Sequence, residues 1–301
     1  MTLNKERALI SFDYALKRLL RNKVNYDILE GFLSELLQTK ISVKNIGESE
    51  SNKEHKRDKF NKVDILVENS SGEILLIELQ FTAEMDYLHR MLFGTSKTIT
   101  NYMAQGDDYL NVKKVYSINI VHFDLGQGDD YVYHGITHFT GLHNQDELRL
   151  SPAQRKLFDK EFAGDIYPEY YILKVKNFNN NTKDRLDEWI YYLKNNEIKE
   201  EFKAQGLDKA REILKRNNLS PEEQKTYDYI LSLRSEELSA IATSKFEGRE
   251  EGREEREKLV QELEKERERR EKLAQKLEKE REEREKLLAE IARLKQQSKQ
   301  K

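Results

Sequence analysis

Residues 60–80 read Phe60-Asn61-Lys62-Val63-Asp64-Ile65-Leu66-Val67-Glu68-Asn69-Ser70-Ser71-Gly72-Glu73-Ile74-Leu75-Leu76-Ile77-Glu78-Leu79-Gln80, and this stretch decides the fold. Two β-rich runs, Val63–Val67 and Ile74–Gln80, flank Asn69-Ser70-Ser71-Gly72, a cluster that favours tight turns. The pattern predicts a β-hairpin. Closing it over Asn69–Gly72 sets Asp64 opposite Ile77, or opposite Glu78 after a one-residue adjustment of the turn. Side chains alternate across a strand, so Glu78 and Gln80 share one face while Leu79 takes the other. The run Ile74-Leu75-Leu76-Ile77 marks a buried central strand. Two carboxylates converging at the edge of such a sheet repel each other unless a cation lies between them.

The chemistry this favours is a divalent-metal site. Magnesium prefers oxygen ligands in an octahedron and usually takes only one or two protein carboxylates, with water and phosphate filling the rest. Asp64, Glu78 and the backbone carbonyl of Leu79 would supply three positions. A cation held there polarises a phosphodiester and acidifies a bound water, as hydrolysis of nucleic acid requires. The plainer alternative is a hairpin whose outer face is solvated.

These residues resemble the active site of the PD-(D/E)XK nuclease superfamily, in which an Asp and a Glu-x-Lys lie on adjacent strands. Val63-Asp64 matches the first element and Glu78-Leu79-Gln80 the second, with glutamine in place of lysine. That glutamine is typical of the Rpn family of recombination-promoting nucleases, often labelled transposases. Further matching pieces are Phe12-Asp13-Tyr14-Ala15-Leu16-Lys17-Arg18-Leu19-Leu20, the leucine-rich residues 26–38, Tyr87–Arg90, and Gln105-Gly106-Asp107-Asp108-Tyr109. The resemblance covers residues 8–125 well and reaches more loosely to 245.

It implies an α/β fold with a restriction-endonuclease-like core, a mixed sheet flanked by helices. It also implies a metal-dependent DNA endonuclease that hydrolyses phosphodiester bonds and promotes recombination. Asp64 and Glu78 would hold Mg2+, Mn2+ or Ca2+ with the Leu79 carbonyl, and Gln80 would orient water or a phosphate oxygen. A neutral glutamine hydrogen-bonds but adds no charge, unlike lysine. The competing reading is a catalytically weak or inactive DNA-binding or oligomeric scaffold on the same fold.

Composition sets the outer bounds. The chain has 301 residues, a net charge of −3 and no cysteine, which excludes disulfides and thiolate metal sites and fits a reducing cytoplasm. No apolar run is long enough to cross a bilayer, and the start lacks a signal peptide's apolar core, so a soluble cytoplasmic protein is expected. Bulk charge does not steer DNA here, so a DNA partner needs a local basic patch. Arg90, Lys97 and Asn101, spaced by seven and four along a helix expected over 84–105, share a face and are the candidate DNA contacts.

Helices are also expected over 5–21, 26–38 and 184–195, the last with Trp189 in the core, and strands over 41–48 and 114–123. The order helix, three strands, helix, strand follows from pattern alone. Gly126-Gln127-Gly128 lacks a third glycine and a following helix, so it reads as a hairpin turn before a strand over 131–136 rather than a phosphate loop. His134, His138 and His143 invite a zinc reading, but a spacing of four on a strand does not bring two imidazoles together.

Ser220-Pro221-Glu222-Glu223 is a capping box that starts a helix. From Glu247 the composition turns to charge, with 18 Lys and Arg against 17 Asp and Glu. A 14-residue repeat begins at Glu257, Glu271 and Glu285. Its seam runs Leu259, Leu263, Glu266, Arg270, Leu273, Leu277, Glu280, Arg284, Leu287, Ile291, Leu294. A parallel coiled coil would set these charges against each other at a cost. The alternative is a solitary helix held by pairs such as Glu266 with Arg270. The expected division is a nuclease-like domain over 1–178, helices over 179–246, and a charged tail over 247–301 that forms a homodimer.

Overall fold

The computed structural model describes residues 9–11, 14–15, 26–48 and 62–298. The helix expected over 5–21 therefore lies largely outside the described residues. Helix α1 (Tyr26–Leu37) leads to strands β1 (Val43–Glu48), β2 (Lys62–Asn69) and β3 (Ile74–Gln80), then helix α2 (Tyr87–Asn101) and strand β4 (Val115–Val121). Strand β5 (Val132–Gly135), helix α3 (Pro152–Phe158), strand β6 (Glu169–Lys174) and helices α4 (Arg185–Asn195), α5 (Leu207–Ile213) and α6 (Pro221–Ser298) follow. The mixed sheet has the order β1-β2-β3-β4-β6-β5.

The hairpin β2–β3 is set by its turn. Asn69 Oδ1 accepts from the backbone N–H groups of Ser71 at 3.0 Å and Glu73 at 2.9 Å, so one amide closes the loop. Gly72 supplies φ +78°, a region that other residues enter with strain. The resulting register sets Asp64 opposite Glu78 and Lys62 opposite Gln80. Of the two registers the sequence left open, the adjusted one is found.

All seven residues of β3 are buried, because it pairs antiparallel with β2 and parallel with β4. Leu75, Ile77 and Leu79 share a core with Phe32 and Leu33 of α1 and Trp189 and Tyr192 of α4. Tyr87 and Met91 of α2 form a second cluster with Val121 and Phe123. Glu78 and Gln80, alternating with the core residues, belong to the α2 side of β3.

The first residues are tied to later helices: Tyr192 Oη donates to Ile10 O at 2.9 Å, and Ser11 N donates to Tyr227 Oη at 3.0 Å. By its contacts the chain divides into a unit over Met1–Leu231 and a second over Ser232–Lys301. Among the described residues no helix is long and apolar enough to cross a membrane.

Two expectations change. Gly126–Gly128 does not turn a hairpin, since β5 pairs antiparallel with β6 and β6 lies parallel between it and β4. Helix α2 starts at Tyr87 rather than 84, and a separate turn, with Asp107 N donating to Ala104 O at 3.1 Å, follows its end at Asn101.

The first residue of β6 is a paired carboxylate. Glu169 Oε1 lies 2.9 Å from Lys114 Nζ, and its Oε2 lies 2.8 Å from His134 Nε2. Burial acts to raise the Glu169 pKa, but the hydrogen bonds and charges of Lys114 and His134 outweigh it, and the net shift is downward. The stability this carboxylate adds is therefore present above the unfolded glutamate's pKa and lost as pH falls through the lower folded value. Glu169→Gln should make unfolding less dependent on pH in that acid window, as read from denaturant midpoints across pH. An unchanged acid limb would show that the pairing contributes nothing.

Candidate active site

The site is built where α2 crosses the end of β3. A strand fully hydrogen-bonded on both edges holds the Glu78 and Gln80 backbones rigidly, and the helix supplies the groups that face them. Glu78 is only 6% exposed. A carboxylate so placed needs hydrogen-bond and charge partners, or it costs several kcal/mol.

Two residues of α2 meet this need. The Tyr87 hydroxyl stands 3.4 Å from Glu78 Oε2, and Arg90 Nη2 lies 3.6 Å from the same oxygen. Tyr87 Oη also stands 3.3 Å from Asn119 Oδ1, so its single proton serves one acceptor at a time. Asn119 lies beside Glu78 in the β3–β4 register. Its Nδ2 donates to Ser117 O at 3.1 Å and Tyr171 O at 3.3 Å, which turns Oδ1 towards the tyrosine.

Arg90 is the hub. Its Nη2 donates to Gln80 Oε1 at 3.1 Å, its Nη1 pairs with Glu84 Oε2, and its guanidinium lies 4.8 Å from the Tyr87 ring centre. Gln80, 1% exposed, donates from Nε2 to Thr82 O and to Glu84 Oε1, each at 3.1 Å. Glutamine suits this place because it accepts from a cation at one end and donates at the other.

At Gly94 of α2 an added methyl group would stand in ordinary contact, 3.5 Å from Glu78 Oε1 and 3.8 Å from Leu76 Cδ2, so this turn of the helix lies beside the carboxylate. Asp64 lies opposite Glu78 in the strand register, although its side chain lies outside the described residues. Leu79 points its side chain into the main core and has only its backbone to offer. Lys97 and Asn101 are exposed further along α2. Of the three candidate DNA contacts, only Arg90 is brought to Glu78.

Sequence reasoning missed Tyr87, Glu84 and Asn119 as site residues. Glu84 and Tyr87 sit four and seven residues beyond Gln80, but only the return of the chain over β3 makes them neighbours. Asn119 carried a readable signal, a lone amide within the apolar strand Val115–Val121. The histidines take separate partners: His134 is stacked on Tyr171 beside Glu169, and His138 Nδ1 lies 2.7 Å from Glu147 Oε1. Among the described residues no group of three or more His, Cys, Asp or Glu gathers as an all-protein metal cage.

A strand glutamate with an aspartate opposite on the adjacent strand is the arrangement expected from the resemblance to the nuclease superfamily, with glutamine standing two residues on in place of lysine. A family model described as PD-(D/E)XK nuclease family transposase matches residues 10–244. The chain belongs to this family. Neither curated proteins nor solved structures gave a significant match. Family membership makes this a nuclease-type hydrolase with DNA as its implied substrate, and PD-(D/E)XK nucleases in general use divalent metal ions.

The Tyr87 hydroxyl is the testable joint between helix and sheet. Tyr87→Phe leaves the ring in place and removes the donor shared by two buried acceptors, at an expected cost of about 1–3 kcal/mol by denaturant unfolding. Unchanged stability would mean that the hydroxyl does not bridge α2 to Glu78 and Asn119.

Proposed function

We propose that the protein is a divalent-metal-dependent DNA endonuclease with Glu78 and Asp64 as its metal ligands. The observation that carries the reading is the buried Glu78 carboxylate on a central strand, opposite Asp64 in the register. Directly opposed residues of an antiparallel pair share a face of the sheet. These hard oxygen donors, with the Leu79 carbonyl, fit Mg2+, Mn2+ or Ca2+ and suit neither a soft metal nor a closed cage. When bound, such an ion supplies Lewis acidity towards the phosphodiester and lowers the pKa of a coordinated water.

The chain's own residues then do the rest. Arg90 balances the charge of Glu78 and is anchored by Glu84 and Gln80. Its planar fork is suited to a phosphate oxygen brought beside the carboxylates. Gln80 fixes Arg90 and, by exchanging one of its amide partners, orients water or a phosphate oxygen. Lys97 and Asn101, exposed on α2, follow the DNA backbone away from the cut. The charged tail pairs two chains, and the absence of cysteine fits work in the cytoplasm.

Incubating purified full-length protein with supercoiled plasmid and Mg2+, Mn2+ or Ca2+ tests this. Divalent-dependent nicking is expected, with a loss of at least about 100-fold in Glu78→Ala. The variant should stay folded, since Arg90 keeps Glu84 and Gln80. Equal cleavage by the variant would refute the metal assignment. A folded parent inert with all three ions would favour the scaffold reading.

A further inference from the structure

Within the second unit, helix α6 continues unbroken to Ser298, and its described part shows Leu259, Leu263, Leu273 and Leu277 at 58%, 55%, 60% and 56% exposure. Leucines half exposed along one stripe of a single helix lose most of the free energy that burial would give them. Between these leucine pairs stand Glu266 and Arg270, which already pair within the helix, Arg270 Nη2 lying 2.6 Å from Glu266 Oε1. The occupant of the stripe must therefore offer apolar pairs and charge pairs in alternation, at the same spacing.

A second copy does so in one direction only. In a parallel, in-register pair every seam residue meets itself, so Arg270 faces Arg270, Arg284 faces Arg284, and Glu266 and Glu280 face their own kind. Run antiparallel, the ladder is self-complementary. Forward from Leu259 it steps by 4, 3, 4 and 3 residues, and backward from Ile291 it takes the same steps. Centred on Gln275, Leu259 meets Ile291, Leu263 meets Leu287, Glu266 meets Arg284, Arg270 meets Glu280, and Leu273 meets Leu277. Every apolar position finds an apolar one and every carboxylate a guanidinium.

Sliding the centre by one heptad to Glu268 keeps the match only from Arg256 to Glu280, a shorter stretch. Flanking positions are mixed in sign in the longer register, with Arg269 near Glu283 but Arg267 near Arg281, so the seam decides the direction. Each Glu266–Arg270 pair then joins Glu280 and Arg284 of the second copy in a quartet of alternating charge. Such a quartet offsets the desolvation that a like-charged layer would leave uncompensated.

We propose that residues 259–291 pair with a second copy of this chain as an antiparallel two-stranded coiled coil centred on Gln275. The proposal rests on the homodimer reading above and adds its direction and register. The two tail helices then run in opposite directions, where a parallel coil would align them.

The chain has no cysteine, so introduced thiols report alone. Full-length Leu259→Cys and Ile291→Cys variants are mixed, annealed and oxidised, and each is also oxidised by itself. The expected result is a mixed 259–291 disulfide, with little self-cross-linking of either variant and a dimer mass for the unmodified chain by light scattering. Self-cross-linking of Leu259→Cys without the mixed product would overturn the direction. A dimer mass with no cross-link in any combination would overturn the register. A monomer mass at all concentrations would overturn the homodimer reading itself.

Discussion

The pairing of Glu78 with Arg90 is the constraint on which the rest of the structure turns. A carboxylate in the middle of a sheet, on a strand bonded along both edges, cannot reach bulk water to be solvated. The chain answers with helix α2, whose Tyr87 and Arg90 reach Glu78. Replacing such a pair with apolar side chains is often neutral or stabilising, so its presence in an otherwise apolar strand calls for a use beyond folding. Stability alone would have put a leucine at position 78.

The two faces of β3 divide the work. Leu75, Ile77 and Leu79 hold α1 and α4 in one large core, and this gives the site its rigidity. The opposite face trades apolar burial for a polar chain running from Glu84 through Arg90, Gln80, Glu78 and Tyr87 to Asn119. Position 80 follows the same logic. Lysine there would set a second cation against Arg90, whereas glutamine accepts from the guanidinium and donates to Glu84. The glutamine and the arginine therefore form one unit.

Much of this was legible in the sequence because it is local. The turn chemistry of Asn69 to Gly72, the alternation along Ile74–Gln80 and the helical stripe before β1 each depend on residues a few places apart. The strand register was open by one residue, and only the Asn69 amide, bonded to both Ser71 and Glu73, closes it. The long-range features were not legible. Nothing near Gly126–Gly128 shows that β5 waits for β6, which arrives after helix α3. Tyr87 looks from its spacing like a core aromatic, as it is, while its hydroxyl takes part in the site. The antiparallel match proposed for the tail is less local still: a repeat shows its period locally, but its self-complementarity appears only when the ladder is also read backwards.

The account stands on Glu78 being buried for the sake of a cation, and metal binding tests that without relying on cleavage. Mn2+ titrated into the wild-type chain and into Glu78→Gln can be followed by the electron paramagnetic resonance of free Mn2+. Glutamine keeps the size and hydrogen bonding of residue 78 while removing its charge. The account predicts saturable binding in the wild type that Glu78→Gln weakens at least about tenfold, a change of about 1.4 kcal/mol. Equal binding by the two proteins would contradict it.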